Sequence, residues 1–171
     1  EEEDTETEET EESEEIEASS GRRAINQAGK PPEAGIIQRV YVENFMCHQK
    51  FGVDLCRNVN FITGQNGSGK SAILAAIQIC LGAGARRTHR ARNLKDLVRK
   101  DATANAPTHA KIRVSLLNRG SDAYMPELYG ETIHVERTIA IKGGYNGYKL
   151  YAEDGVTEKS RSKKDLDALL D

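Results

Sequence analysis

Gly64, Gln65, Asn66, Gly67, Ser68, Gly69, Lys70 and Ser71 follow the order GxxxxGK[ST], a spacing suited to holding phosphate. A triphosphate needs several hydrogen-bond donors at close range, and the N–H groups of a tight loop supply them. Glycine lets that backbone turn and approach without a Cβ in the way. A helix opening on the loop adds the positive end of its dipole. Lys70 puts a cation between the outer phosphates of ATP, and the Ser71 hydroxyl is a hard oxygen ligand for Mg²⁺. The competing reading is a chance match in a Gly/Ser-rich turn. It is decided by what flanks the loop.

The flanks are those the chemistry requires. Residues 58–63 (NVNFIT) read as a short strand running straight into the glycines. From Ser71 the spacing turns helical, with Ile73, Leu74, Ile77, Cys80 and Leu81 on one stripe and Gly82 and Gly84 at its end. Two further strands precede the loop, at 36–43 and 51–55. A short helix is expected at 94–99. Strands follow at 111–117, 132–141 and 145–152, the last two joined at Gly143-Gly144 as a hairpin. Leu166, Leu169 and Leu170 place a final helix at 162–171, with Ser162 as its cap. Tyr145, Tyr148 and Tyr151 read as sheet packing. The expected fold class is α/β, a mixed sheet with an antiparallel β part.

Charge divides the chain. Residues 1–17 hold twelve acidic residues and no Lys or Arg, leaving 15 acidic against 24 basic residues in the remainder. The acidic stretch, with mean hydropathy for the whole chain at −0.62, cannot bury enough apolar surface to offset its chain entropy. Residues 1–34 are therefore expected to be a disordered acidic tail, read either as an inert solubilising segment or as a regulatory one. Residues 35–161 form the folded body, and 162–171 begin a further helix. Three cysteines without a CxxC pair argue against a disulfide framework. No run approaches a membrane span. The expectation is a soluble, intracellular protein with no membrane partner.

Arg86, Arg87, His89, Arg90, Arg92, Lys95, Arg99 and Lys100 fall within fifteen residues. Such a cluster neutralises nucleic-acid phosphates without reading sequence. A solvated loop and helix face is the other reading. Aromatic residues are not interleaved, which argues against single-strand stacking. Cys47, His48 and Cys56 lack metal-ligand spacing.

What hydrolysis would further require is missing. The nearest apolar run ending in an acid is Ala168-Leu169-Leu170-Asp171, on the amphipathic terminal helix, and there is no Leu-Ser-Gly-Gly signature. The catalytic acid for an attacking water must come from another segment or chain.

The interior of the loop, Asn66 to Ser71, closely matches the form used by ABC-type ATPases. More specific stretches are Val42-Glu43-Asn44-Phe45-Met46-Cys47-His48, Asn60 through Leu74, Cys80-Leu81-Gly82, and Leu117-Asn118-Arg119-Gly120. On these, residues 36–171 resemble the N-terminal head segment of the SMC (structural maintenance of chromosomes) family. Within the family the resemblance is to the sixth eukaryotic paralogue, of the DNA-repair complex.

The resemblance implies an ABC-type P-loop ATPase half-domain. Its missing acids and signature would lie in a C-terminal half of the same polypeptide, beyond a long coiled coil. It implies ATP and Mg²⁺ as cofactors, with Lys70 on the β- and γ-phosphates and Ser71 on the metal. Arg90 matches the family's arginine loop, with an ordinary surface arginine as the other reading. Residues 44–48, His48 among them, would lie near the base or ribose; for His48 a packed or solvent-facing histidine is the alternative. Arg86, Arg87, Arg92 and Lys95 would meet duplex DNA. The implied partners are the C-terminal head half, an SMC heterodimer mate expected to be the fifth paralogue, and a kleisin-type subunit. The implied location is the chromosome, in the nucleus. The fragment alone would be inactive. Two rival readings stand beside this: the related double-strand-break repair ATPase, and a nucleotide-binding interaction module without turnover.

Overall fold

The computed structural model describes residues 33–100 and 106–171. The acidic tail expected at 1–34 lies outside the described residues except at its end.

Strand β1 (Ala34–Phe45) is followed by β2 (His48–Asp54), helix α1 (Lys70–Cys80), and 3-10 turns at Ala85–Thr88 and Leu94–Leu97. Then come β3 (His109–Asn118), the single-turn helix α2 (Pro126–Tyr129), β4 (Thr132–Ala140), β5 (Gly147–Tyr151), β6 (Glu158–Ser160) and α3 (Lys163–Leu170). The strands form one six-stranded sheet in the order β2-β1-β3-β4-β5-β6, and each neighbouring pair is antiparallel.

Side chains alternate between the two faces of a strand, and here the two faces differ sharply. Register sets Val40 opposite Val114, Val114 opposite Val135, and Val135 opposite Leu150. All four are buried, so one face is a continuous apolar row. Helix α1 packs on β1, β3 and β4. It does so through Ala72, Ile73, Ala75, Ala76, Ile79 and Cys80. The small alanines let it lie close to the sheet, and the Cys80 thiol donates to the Val135 carbonyl at 3.2 Å. Helix α3 packs on β5 with Leu166 buried. Its cap is the expected one, the Ser162 hydroxyl accepting from the Lys164 N–H at 3.1 Å. The opposite face is polar, with Arg39 paired to Asp54, Arg113 to Glu136 and Lys149 to Glu158.

Three local expectations are corrected. Residues 58–63 join no strand of the sheet: Val59 is 67% and Phe61 89% exposed. The β-rich sequence has no neighbouring strand among the described residues with which to pair. Instead the Asn60 side chain closes a turn, accepting from the Cys56 N–H at 2.6 Å and donating to its carbonyl at 2.8 Å. Leu74 leaves the expected stripe and is 59% exposed, because the alanines form the face against the sheet. The helix expected at 94–99 is a 3-10 turn, since Val98 leaves the helix to bridge Phe45. Tyr148 and Tyr151 pack on opposite faces of β5, whereas Tyr145 precedes the strand and is exposed. The Arg137 guanidinium sits over Tyr148, and that of Arg113 over Tyr151.

Candidate nucleotide-binding site

The loop 64–71 leads into the first turn of α1, and Gly69 is the residue before the helix, at φ 92°. Only glycine adopts that left-handed backbone without strain. The space around it makes the same demand. A Cβ at Gly69 would stand 2.2 Å from His48 Nε2 and 2.8 Å from Cys47 Sγ. At Gly64 a Cβ would stand 2.7 Å from the Ser68 hydroxyl oxygen. Thus two of the loop's glycines are fixed by close neighbours.

Lys70 turns its ammonium back across the loop. Nζ donates to the Gly64 carbonyl at 2.6 Å and to the Gln65 carbonyl at 2.7 Å. The cation is held at the loop's mouth, where outer phosphates would meet it. The first turn of α1 carries no acidic residue, so nothing there opposes an anion at the helix N-terminus. Ser71 is exposed in that same turn. An exposed hydroxyl, a tethered ammonium and a glycine-shaped cradle at a helix start are the donor set that a magnesium triphosphate requires.

The β1–β2 turn forms a wall beside the loop. Asn44 (φ 48°) and Met46 (φ 51°) are both left-handed without being glycine, and they flank the fully buried Phe45. Two backbone hydrogen bonds hold the turn, Met46 N–H to the Leu97 carbonyl and Arg99 N–H to the Asn44 carbonyl, each 2.7 Å. The next two residues, Cys47 and His48, then reach Gly69. His48 lies against Phe51, ring centroids 4.9 Å apart, and its Nε2 is 3.4 Å from the Gly69 carbonyl oxygen.

The basic segment is anchored by its apolar residues and presents its cations outward. Ala85, Thr88, Leu97 and Val98 are buried, while Arg86, Arg87, Arg90, Arg92 and Lys95 are exposed. The Thr88 hydroxyl donates to the Ala85 carbonyl at 2.7 Å and accepts from the Arg90 N–H at 3.3 Å. The structure brings His48 onto the phosphate loop. The Arg90 side chain makes no hydrogen bond or ion pair among the described residues. The loop and His48 are legible in the sequence. The Cys47 contact with Gly69 and the anchoring of the basic segment on 44–46 are not, because both depend on chain segments that meet only in the fold.

The AAA domain family model matches residues 39–171. The chain belongs to the AAA domain family. Among curated relatives it is 48% identical over 126 residues to Structural maintenance of chromosomes protein 6 of Dictyostelium discoideum, covering 74% of this chain and 10% of that protein. It is 42% identical over 137 residues to the Schizosaccharomyces pombe protein of the same name, covering 80% and 11%. With the Homo sapiens protein it shares 40% over 140 residues, covering 81% and 12%. The chain thus spans about a tenth of the length of these relatives.

Solved structures agree on the fold. One, from work on ATP-driven dimerization and DNA-stimulated activation of SMC ATPases, matches with TM-score 0.64 at 22% identity, covering 79% of this chain and 78% of the other. An Smc head bound to the C-winged helix domain of ScpA matches with TM-score 0.60 at 22% identity, covering 79% and 40%. At that identity the likeness is one of fold alone. Together the matches bear out the SMC head segment, its sixth-paralogue resemblance and the α/β ABC-type fold class. Among the described residues the sheet is antiparallel throughout.

Proposed function

We propose that this chain is the N-terminal half of an SMC-type ATPase head and that it binds Mg-ATP at residues 64–71. The observation that carries this reading is the tethered Lys70 ammonium at the mouth of a glycine-shaped loop that opens a helix free of acids in its first turn. When bound, the nucleotide supplies a phosphoanhydride bond and Mg²⁺ a counter-charge. Lys70 would neutralise the β- and γ-phosphates, Ser71 would ligate the metal, and the loop N–H groups would hold the remaining oxygens.

On this reading residues 35–161 are the half-domain and 162–171 start the helix toward a coiled-coil arm. The exposed Val59, Phe61 and Ile62 are the contact surface for the C-terminal head half, which brings the metal-binding acids and the signature. The chain alone is inactive. ATP binding clamps two heads, the mate being the fifth paralogue, with a kleisin-type subunit joining them. Duplex DNA meets Arg86, Arg87, Arg92 and Lys95, while Arg90 and His48 lie toward the nucleotide. The complex works on chromosomes in the nucleus, in DNA repair and recombination.

The test is reconstitution. Adding the C-terminal head fragment and the partner head should produce ATP hydrolysis that Lys70→Ala abolishes. A rate indifferent to Lys70→Ala removes the assignment.

A further inference from the structure

His48 is held on two sides. One is Phe51, stacked at 4.9 Å with the rings 27° apart. The other is Gly69, whose carbonyl oxygen lies 3.4 Å from Nε2. A carbonyl only accepts, so this contact requires the proton on Nε2. The bond is long, yet its place gives it leverage. Gly69 is the left-handed residue from which α1 starts, and Lys70 and Ser71 project from the next two positions. The turn that delivers His48 is itself over-determined, with Asn44 and Met46 left-handed, Phe45 buried and two backbone bonds to Leu97 and Arg99. Strained backbone persists where surrounding structure enforces it, and it gathers at ligand clamps.

We propose that His48 is a positioning residue for the phosphate loop. Its Nε2–H, donated to the Gly69 carbonyl, fixes the peptide that opens α1, so that the Lys70 and Ser71 side chains and the first helical N–H groups converge on one point. His48 acts through Gly69 and touches no phosphate. The inference rests on the nucleotide-binding reading only for its consequence, since the contact itself is independent of any ligand.

The experiment compares His48→Gln, His48→Met and His48→Ala in the full-length protein. Gln places an amide N–H about where Nε2–H stands, while Met fills similar space without a donor. The first readout is amide hydrogen exchange of the peptide spanning 64–72 in the nucleotide-free protein, with the β3–β4 peptides as folding control. The Met and Ala variants should exchange at least tenfold faster in that peptide alone, and Gln should remain within threefold of the parent. Mg-ATP affinity should fall in the same order. Met matching the parent, or Gln failing as badly as Met, overturns the proposal; the pair remains informative even if the Ala variant does not fold. If loop exchange follows the expected order but even the parent binds no Mg-ATP, the positioning role stands and the nucleotide reading falls.

Discussion

The ammonium of Lys70 is bonded to the carbonyl oxygen of Gly64, six residues before it, at 2.6 Å. The side chain thus closes the loop that carries it, and its ammonium is held in a fixed place. A charge-assisted contact from that ammonium to a phosphate oxygen would be worth about 1.5–3 kcal/mol. Lys70→Ala should lower Mg-ATP affinity by about 10- to 100-fold in the full-length protein, measured by titration calorimetry. The fold should remain intact, since among the described residues the side chain bonds only to its own exposed loop.

Two glycines of the loop should behave differently on substitution. Gly67 (φ 87°) has nothing among the described residues within 4 Å of where a Cβ would be, whereas at Gly69 that atom would strike His48 and Cys47. Gly67→Ala should cost about 1–2 kcal/mol from backbone conformation alone. Gly69→Ala should cost about 2–4 kcal/mol, because the wall must also move. Denaturant titration of both variants checks the order, and equal losses would show that the wall yields freely.

Much of this is legible in the sequence because strands and helix obey their periods. Val40, Val114 and Val135 alternate with polar residues, and each lies on the buried face. Residues 58–63 carry the same signal but have no strand to pair with among the described residues, and pairing is a property of the partner as much as of the segment. Leu74 departs from its expected stripe because a hydrophobicity count weighs leucine above alanine, whereas the sheet accepts the narrower side chains of Ala72, Ala75 and Ala76. Strand β6, only three residues long (Glu158–Ser160), carries no apolar alternation at all. Its place comes from the turn before it, where Asp154 accepts from the N–H groups of Val156 and Thr157 at 2.9 and 2.8 Å.

Phe61 is 89% exposed. Phe61→Glu should leave the stability of the isolated chain within about 0.5 kcal/mol of the parent. If residues 58–63 meet the C-terminal head half, the same change should sharply weaken co-purification of the two halves. Unchanged assembly would assign that contact elsewhere.

Reversing charge at Arg86, Arg87 and Arg92 tests the basic segment. If these residues meet DNA phosphates, duplex affinity should drop for every sequence. The slope of log affinity against log salt should flatten by about 1 for each phosphate no longer neutralised. Fluorescence anisotropy across a salt series reads both, and an unaltered slope would leave the segment as a solvated surface.

His134 should make the sheet acid-sensitive. Burial pushes its pKa below the ordinary histidine range. The neutral ring is fully engaged, with Nε2–H donating to the Glu153 carbonyl at 3.2 Å and the Ser115 hydroxyl donating to Nδ1 at 2.8 Å. The folded state takes up this proton later than the unfolded chain. The unfolded chain therefore holds more protons once pH falls below about 6.5, and stability declines from there toward the folded pKa, with no loss above it. Asp154, held near 2 chiefly by the Thr157 hydroxyl, and Glu158, held near 2 chiefly by Arg161, lose their contributions only at lower pH, below the ordinary carboxylate range. Thermal melts from about pH 7 to 5 should show the first decline, and His134→Gln should flatten it.

Cys80 is wholly buried, and burial pushes its thiol up to about 12, whereas Cys47 and Cys56 lie open to solvent. Reaction with an alkylating reagent needs the thiolate and a path to it. Two sulfurs of the native chain should therefore label at once and the third only when α1 lifts from the sheet. The slow phase of labelling is thus a built-in clock for opening of the core, obtainable from the unaltered sequence without any introduced probe.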